Sequence, residues 1–405
     1  MNCLAAIPEG RDGVFKTETG EVLKSQREGD ITYVEVNRVP AMAGKVICFE
    51  EGSAQGESTV FQVSENRIET PFYEMELNEA GQFTRIYDKE NDREVIAEGE
   101  RANVLQVFED KPFEFDAWNI DIFYQEKMRE VTDLVSAEIA ENGCLKAVLR
   151  LKWNYMDSEI QQDITLYRND RRIDFVTYVN WKETHQLLKA SFPVDIRASE
   201  ARYDIQYGNV KRPNNWNTSW EMAKFETVAH RFADMSERDY GVSILNDCKY
   251  GHDIKENRMR ITLLKSAINP DYKQDQGEHF FTYSLLPHRG DFIEGETAKE
   301  AYALNQPVKV LPGEWKSSGH SFISFSTDKV ELDAVKRSED GKYLVVRFHE
   351  YAGSRQKVKV CPGFEYVSFC ESDLMERPIE EEREAGEILM EIKPYEIKTL
   401  LFSLN

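Results

Sequence analysis

The sequence predicts an all-β fold: a large antiparallel β-sandwich, with smaller β-sandwich modules on either side. Three observations carry this. Strand-length runs alternate apolar and polar residues, the runs are joined by hairpin-type turns, and sustained runs of helical period are scarce. At 405 residues there is material for about two or three domains with a real core.

Residues 1–64 are expected to form a small, partial β-domain and linker. Short runs such as Gly13–Val14–Phe15, Ile31–Val36 and Gly44–Phe49 are separated by turns. Alternation in ITYVEV puts Ile31, Tyr33 and Glu35 on one face and Thr32, Val34 and Val36 on the other. The segment starts as though a β-domain had been entered partway. The small, polar run Gly52 to Ser58 reads as a linker.

Residues 65–325 are expected to hold the large sandwich. Phe72–Leu77, the turn Asn78–Glu79–Ala80–Gly81 and Phe83–Tyr87 make an antiparallel pair. Leu145–Trp153, Ile160–Leu166 and Ile173–Val179 alternate, and Arg258–Lys265 reads as a strand with Met259, Ile261 and Leu263 inward. His279–Leu286 follows, closed by Pro287. Trp220–Met235 fits both periods and is assigned to strand from Phe225 on. Ala298–Leu304 has helical propensity. Residues 326–405 are expected to form a small C-terminal β-sandwich from runs at 330–335, 343–348, 356–360 and 388–392, acting as a stabilising cap.

A net charge of −22 argues against nucleic acid and against anionic membranes, both of which demand basic surface. The six cysteines lack a CxxC pair, so neither a zinc ribbon nor a dense disulfide framework is expected, and free thiols in a reducing compartment are. No apolar run has the length of a membrane span and the N-terminus lacks a signal-peptide core, which makes the cytoplasm the expected location. The sequon Asn217–Thr218–Ser219 is accordingly expected to go unused.

The densest aromatic and charged stretch runs from Arg202 to Asp253 and includes Tyr203, Tyr207, Trp216 and Trp220 beside Lys211 and Arg212. Exposed rings beside fixed polar groups suit sugars, whose C–H faces stack while their hydroxyls demand donors and acceptors. The bland alternative is a sheet edge with core aromatics.

The blocks YGNVKRP, NTSWE, FETVAHRFADMSE, YGVSILNDCKYG and FTYSLLPHRG resemble the C-terminal region of glycoside hydrolase family 38 α-mannosidases, cytosolic and bacterial branch. FDAWNIDIFY, Phe115 to Tyr124, resembles the tryptophan-rich segment of that branch. The similarity runs in order over most of residues 65 to 330.

The resemblance implies a mutarotase-like supersandwich for the large sandwich. In the family, the nucleophile and a catalytic zinc, the latter held by His and Asp including a His-x-Asp pair, lie in an N-terminal α/β barrel. Nothing before residue 65 resembles that barrel, and none of the seven histidines stands in a His-x-Asp. The expectation is therefore an α-mannosidase portion with no catalytic residue and no metal or other cofactor of its own, inactive alone. It would shape the rim of the mannose site through substrate-binding residues Tyr207, Arg212, Asp247, Lys249, Tyr250, Trp118 and Asp121. Expected partners are α-mannoside glycans, met through the parent enzyme, and the zinc-bearing barrel. Self-association into a homo-oligomer stays open; nucleic acid and membrane are not expected. A contiguous aromatic patch is expected near Phe115, Trp118, Phe123, Tyr207 and Trp216. The alternative is a free-standing carbohydrate-binding or partner-binding β-sandwich without catalysis.

Overall fold

The computed structural model describes residues 3–8, 10, 13–52, 58–314 and 318–404. Every strand pair among them is antiparallel, and the chain is nearly all β. Residues 53–57 of the expected linker lie outside the described residues.

The core is enclosed by a nine-stranded and a six-stranded sheet. The larger runs, in spatial order, through Asp133–Asn142, Lys146–Tyr155, Ser158–Tyr167, Ile173–Trp181, Gly277–Arg289, Tyr240–Asn246, Phe232–Ser236, Glu200–Ile205 and Gly208–Pro213. The smaller runs through Met128–Glu130, Val104–Glu109, Gln186–Pro193, Arg258–Ser266, Gly251–Lys255 and Thr227–Val228. Inward residues of both sheets, among them Leu149, Phe175, Tyr283, Leu188, Phe192 and Ile261, share one apolar core. Burying such side chains stabilises by about 1.5–3 kcal/mol each. The inward set Met259, Ile261 and Leu263 is as the alternation predicts.

A five-stranded sheet, built on the hairpin Tyr73–Leu77/Phe83–Asp88, adds Ile68, Met75 and Ile86 to the same core. Gly81 turns this hairpin at φ +74°, where a side chain would also strike Trp153. The N-terminal residues form two three-stranded sheets, and in Ile31–Val36 the buried face is Thr32, Val34 and Val36. A three-stranded and a five-stranded sheet make the C-terminal sandwich, with Phe348, Val358, Ile392 and Phe402 in its own core.

Two local expectations need correction. Pro287 does not close its strand: the strand continues to Arg289, with Pro287 opposite Val242. Proline is tolerated there because pairing with the other neighbour ends at Leu285, so no ladder bond asks for its missing N–H. The Pro287 carbonyl on that side takes Arg171 Nε instead. Tyr203 is core, 2% exposed, because it stands on the inward face of its strand. The 220–235 stretch is divided: a one-turn helix Ser219–Met222, then strands Thr227–Val228 and Phe232–Ser236. Thr218 of the sequon caps that helix, with Glu221 closing the capping box.

Helix Thr297–Asn305 forms as its propensity predicts, and buries Ala298 and Ala301 against Phe232, Leu245 and Leu286. No helix is long and apolar enough to cross a membrane. The six cysteines are free.

Candidate functional site

The outer face of the six-stranded sheet is polar where a solvated sheet face would be charged and open. Lys189 lies in the run LLKASF, on the face opposite Leu188, Ala190 and Phe192, and is fully buried. Two segments cover it: the turn of 3₁₀-helix Ile122–Glu126 and the approach to Thr227–Val228. They meet where Tyr124 packs on Phe108 and Phe225.

Beneath that lid Lys189 Nζ donates to Asp253 Oδ2 at 2.7 Å and to Glu226. Tyr124 Oη donates to Glu226 Oε1 at 2.6 Å and stands 3.2 Å from Asp253 Oδ2, while Arg260 Nε reaches Asp253 Oδ1 at 2.7 Å. Burial pushes the Glu226 carboxyl above its ordinary range, against the pull of Lys189. Burial opposes ionisation of Asp253 too, yet Lys189 and Arg260 together hold its carboxyl below the ordinary range. His252, next along the strand, faces the other way. Burial drops its imidazole to about 4, and the Tyr250 carbonyl 3.1 Å from Nδ1 offsets this only in part. It is neutral at pH 7.

This ion cluster fixes the segment before it. Tyr124 points inward and Phe123 outward, 69% exposed. Phe113, Phe115 and Trp118 are exposed as well, Trp118 by 70%. Phe115 takes a left-handed φ of +57°, and its carbonyl accepts the Trp118 and Asn119 amides. Asp116 Oδ2 accepts the Ile268 and Asn269 amides at 2.8 and 3.1 Å and stands 3.3 Å from His185 Nε2. Although burial opposes it, these bonds and His185 keep the Asp116 carboxyl below its usual range. Four aromatic rings therefore stand out from a pinned loop.

The second polar loop joins Tyr240–Asn246 to Gly251–Lys255. Asn246, fully buried, donates to the His230 carbonyl at 2.9 Å and accepts the Lys249 amide at 2.9 Å. Asp247 Oδ2 accepts the Thr282 amide at 2.9 Å; its Oδ1 is buried with no partner among the described residues. Lys249 Nζ lies 4.5 Å from the Phe281 ring centre, and the half-exposed Tyr250 ring is 5.6 Å from that of His230. Burial and then Asp247 raise the Cys248 thiol to about 11, so it stays protonated at neutral pH.

The expected site residues thus fall into separate places. Asp247, Lys249 and Tyr250 share one loop; Trp118 and Asp121 share another, where Asp121 Oδ2 is spent on the Phe113 amide at 2.7 Å. Arg212 lies on the edge strand Gly208–Pro213, its Nε buried and unpartnered among the described residues. Tyr207 turns the hairpin at φ +55° and sets its ring edge-on to His349, 5.5 Å away, in the C-terminal sandwich. Around it Asn209 donates to the Tyr351 carbonyl and accepts from Tyr395, while Arg231 bridges Asp204 and Glu331. The Tyr207 turn is thus a seam between two sandwiches. Trp216 in turn lies under Lys255 Nζ, 3.7 Å from the ring centre.

Lys189, Glu226, Asp253 and Tyr124 escaped the sequence reading. Their signal was a lone lysine inside an apolar strand run, which demands a buried counter-charge. Among the described residues, no group of three or more His, Cys, Asp or Glu side chains could hold a metal ion.

Comparison with known proteins adds the context. Residues 68–273 match the family described as Glycosyl hydrolases family 38 C-terminal domain, and residues 329–400 match Glycosyl hydrolases family 38 C-terminal beta sandwich domain. The chain is 35% identical over 354 residues to Alpha-mannosidase G of Dictyostelium discoideum, covering 84% of this chain and 32% of the relative. It is 33% identical over 336 residues to Alpha-mannosidase 2C1 of Homo sapiens, covering 80% and 32%. An Alpha-mannosidase of Saccharomyces cerevisiae is 36% identical over 249 residues, 59% of this chain and 23% of the relative. The chain thus spans a third or less of these relatives. In fold it is similar to the crystal structure of an alpha-mannosidase from Enterococcus faecalis V583, with a TM-score of 0.77 and 17% identity, over 100% of this chain and 55% of that one.

Proposed function

The chain belongs to glycoside hydrolase family 38 through the C-terminal domains of that family, and on this premise we propose that it is the β-sandwich portion of an enzyme hydrolysing terminal α-mannosides. The observation that carries the reading is the ordered match of two family domains, at 68–273 and 329–400, supported by relatives named as α-mannosidases at 33–36% identity. The proposed divisions are 1–64, 65–325 and 326–405.

Retaining hydrolysis needs two carboxyl groups across the sugar, and family zinc chemistry needs a ligand set. The described residues do not fit a zinc, so no step is assigned to one here. In this reading both the nucleophile and the zinc come from a catalytic barrel, and this chain binds and orients. Lys249 donates to sugar hydroxyls and Tyr250 offers a half-exposed ring, while Asp247 stays a candidate that also holds the loop through the Thr282 amide. Trp118 and its aromatic neighbours form an outer surface for glycan or barrel. Arg212 stays a donor candidate, and Asp121 and Tyr207 act by holding loops. A cytoplasmic setting belongs to the proposal, supported by six unpaired thiols.

The test is hydrolysis of a nitrophenyl α-mannoside by the chain alone and with the barrel portion of a 35%-identical relative supplied in trans. The expected result is no turnover alone, turnover with the barrel, and loss of that turnover in Lys249→Ala and Tyr250→Ala at unchanged melting temperature. Turnover by the chain alone, with one zinc bound per chain, would overturn the reading. So would glycan binding with no barrel association, which is the result a free-standing carbohydrate-binding sandwich would give.

A further inference from the structure

A cleft of about 290 Å³ opens on the outer face of the six-stranded sheet, beside the ion cluster and separate from the loop at 246–251. Directly opposed residues of antiparallel strands share a face. Val104 is opposite Ser191, and Ser191 is opposite Arg260, which makes one row across three strands. Gln106, opposite Glu130, is in the next row. Val104, Gln106, Glu130 and Arg260 all line the cleft, and Ser191 lies between two of them.

Two buried polar atoms here have no partner among the described residues: Gln106 Oε1 and Ser191 Oγ, on side chains 5% and 0% exposed. A buried hydrogen-bonding group left unmade is costly; Ser191 lies behind the lining, while Gln106 is part of it and so brings an unmade bond to the cleft. The cleft also holds guanidinium groups with capacity to spare. Arg258 gives Nη2 to Glu100 at 3.0 Å and Arg260 gives Nε to Asp253 at 2.7 Å, and among the described residues their other nitrogens make no hydrogen bond. Glu130 is held by Arg101 at 2.8 and 3.0 Å and keeps lone pairs to offer.

The geometry points to a binding site for a small neutral polyol of hexose size. A hydroxyl both donates and accepts, and this cleft alternates the two: guanidinium donors on Arg258 and Arg260, and Gln106 and Glu130 acceptors. Val104 and the Met128 thioether supply an apolar wall for C–H groups. The volume is at the small end of ligand pockets, which run from about 300 Å³ upward. Lining cations and anions nearly balance, and a chain of net charge −22 repels a free anion, so phosphate is the poorer fit. The inference goes beyond the rim reading and does not depend on it, since it requires no barrel.

Titration calorimetry of the full chain with D-mannose, D-glucose and mannitol, and separately with inorganic phosphate, tests it. The expected result is saturable binding of one polyol per chain in the millimolar range. Arg258→Gln and Gln106→Leu should each weaken it about tenfold without lowering the melting temperature, because each removes a polar group that lines the cleft. No saturable polyol heat would overturn the proposal: water would then fill the cleft. Unchanged affinity in both variants would overturn it too, as would phosphate competing the polyol away. A fall in melting temperature at unchanged affinity would make the two side chains structural and sink the site.

Discussion

Lys189→Met tests the ion cluster directly. The substitution keeps the length and apolar stem of the side chain and removes the charge. Asp253 retains Arg260, but Glu226 is left with the Tyr124 hydroxyl alone, in a place where Asp253 is 3% and the Glu226 side chain 15% exposed. Breaking one partner from a buried pair costs about 3–5 kcal/mol. The variant can escape by protonating Glu226, which sets a ceiling. From an ordinary glutamate value of 4.5, protonation at pH 7 costs about 2.5 units, or roughly 3 kcal/mol. The expected loss at pH 7 is therefore about 3 kcal/mol. For a domain of this size it lowers the melting point by about 6–12 °C. The sign with pH follows. With Glu226 raised in the folded state, the folded variant binds more protons than the unfolded chain, so its deficit grows as pH rises and shrinks as pH falls. By pH 5 the gap to the parent should narrow by most of its pH 7 size. Calorimetric melting of the parent, Lys189→Met and Lys189→Met/Glu226→Gln at both pH values gives the answer. The double variant should regain most of the loss. A single variant melting within about 2 °C of the parent at pH 7, or a deficit independent of pH, would refute the charge assignment.

Three further outcomes are expected. His252 is held near 4 by burial, so the unfolded chain takes up its proton first and stability falls between pH 6.5 and about 4, by roughly 3 kcal/mol in total; urea midpoints against pH should show a shallower acid limb in His252→Gln. Trp118→Ala should melt within about 1 kcal/mol of the parent, since most of the ring is already in water; a core-type loss of roughly 3–5 kcal/mol would show the exposed assignment to be mistaken. Asn209→Ala removes the bonds to Tyr351 and Tyr395 and should expose the junction before the C-terminal sandwich to limited proteolysis, with little change in the melting of the nine-stranded sheet.

Much of the fold was legible because a strand repeats every two residues, a period carried by a few neighbours in sequence. RMRITLLKS declares its inward face without reference to any other strand, and ITYVEV does the same with Thr32, Val34 and Val36. Asn78–Gly81 declares a hairpin because the turn chemistry is local. The ordered blocks that marked family 38 were legible for a related reason: they are contiguous. What tertiary structure alone decided is which distant residues meet. Lys189 finds Glu226 and Asp253, 37 and 64 residues away, through strand register and a covering loop. Tyr203 and Tyr207 look alike in sequence, but the first faces the core and the second turns a hairpin onto the next sandwich. Pro287 reads as a terminator, and only the early end of the neighbouring strand makes it harmless. Period and turn type are properties of short segments, whereas charge pairing, burial and exposure belong to contacts that exist only once the sheets have closed.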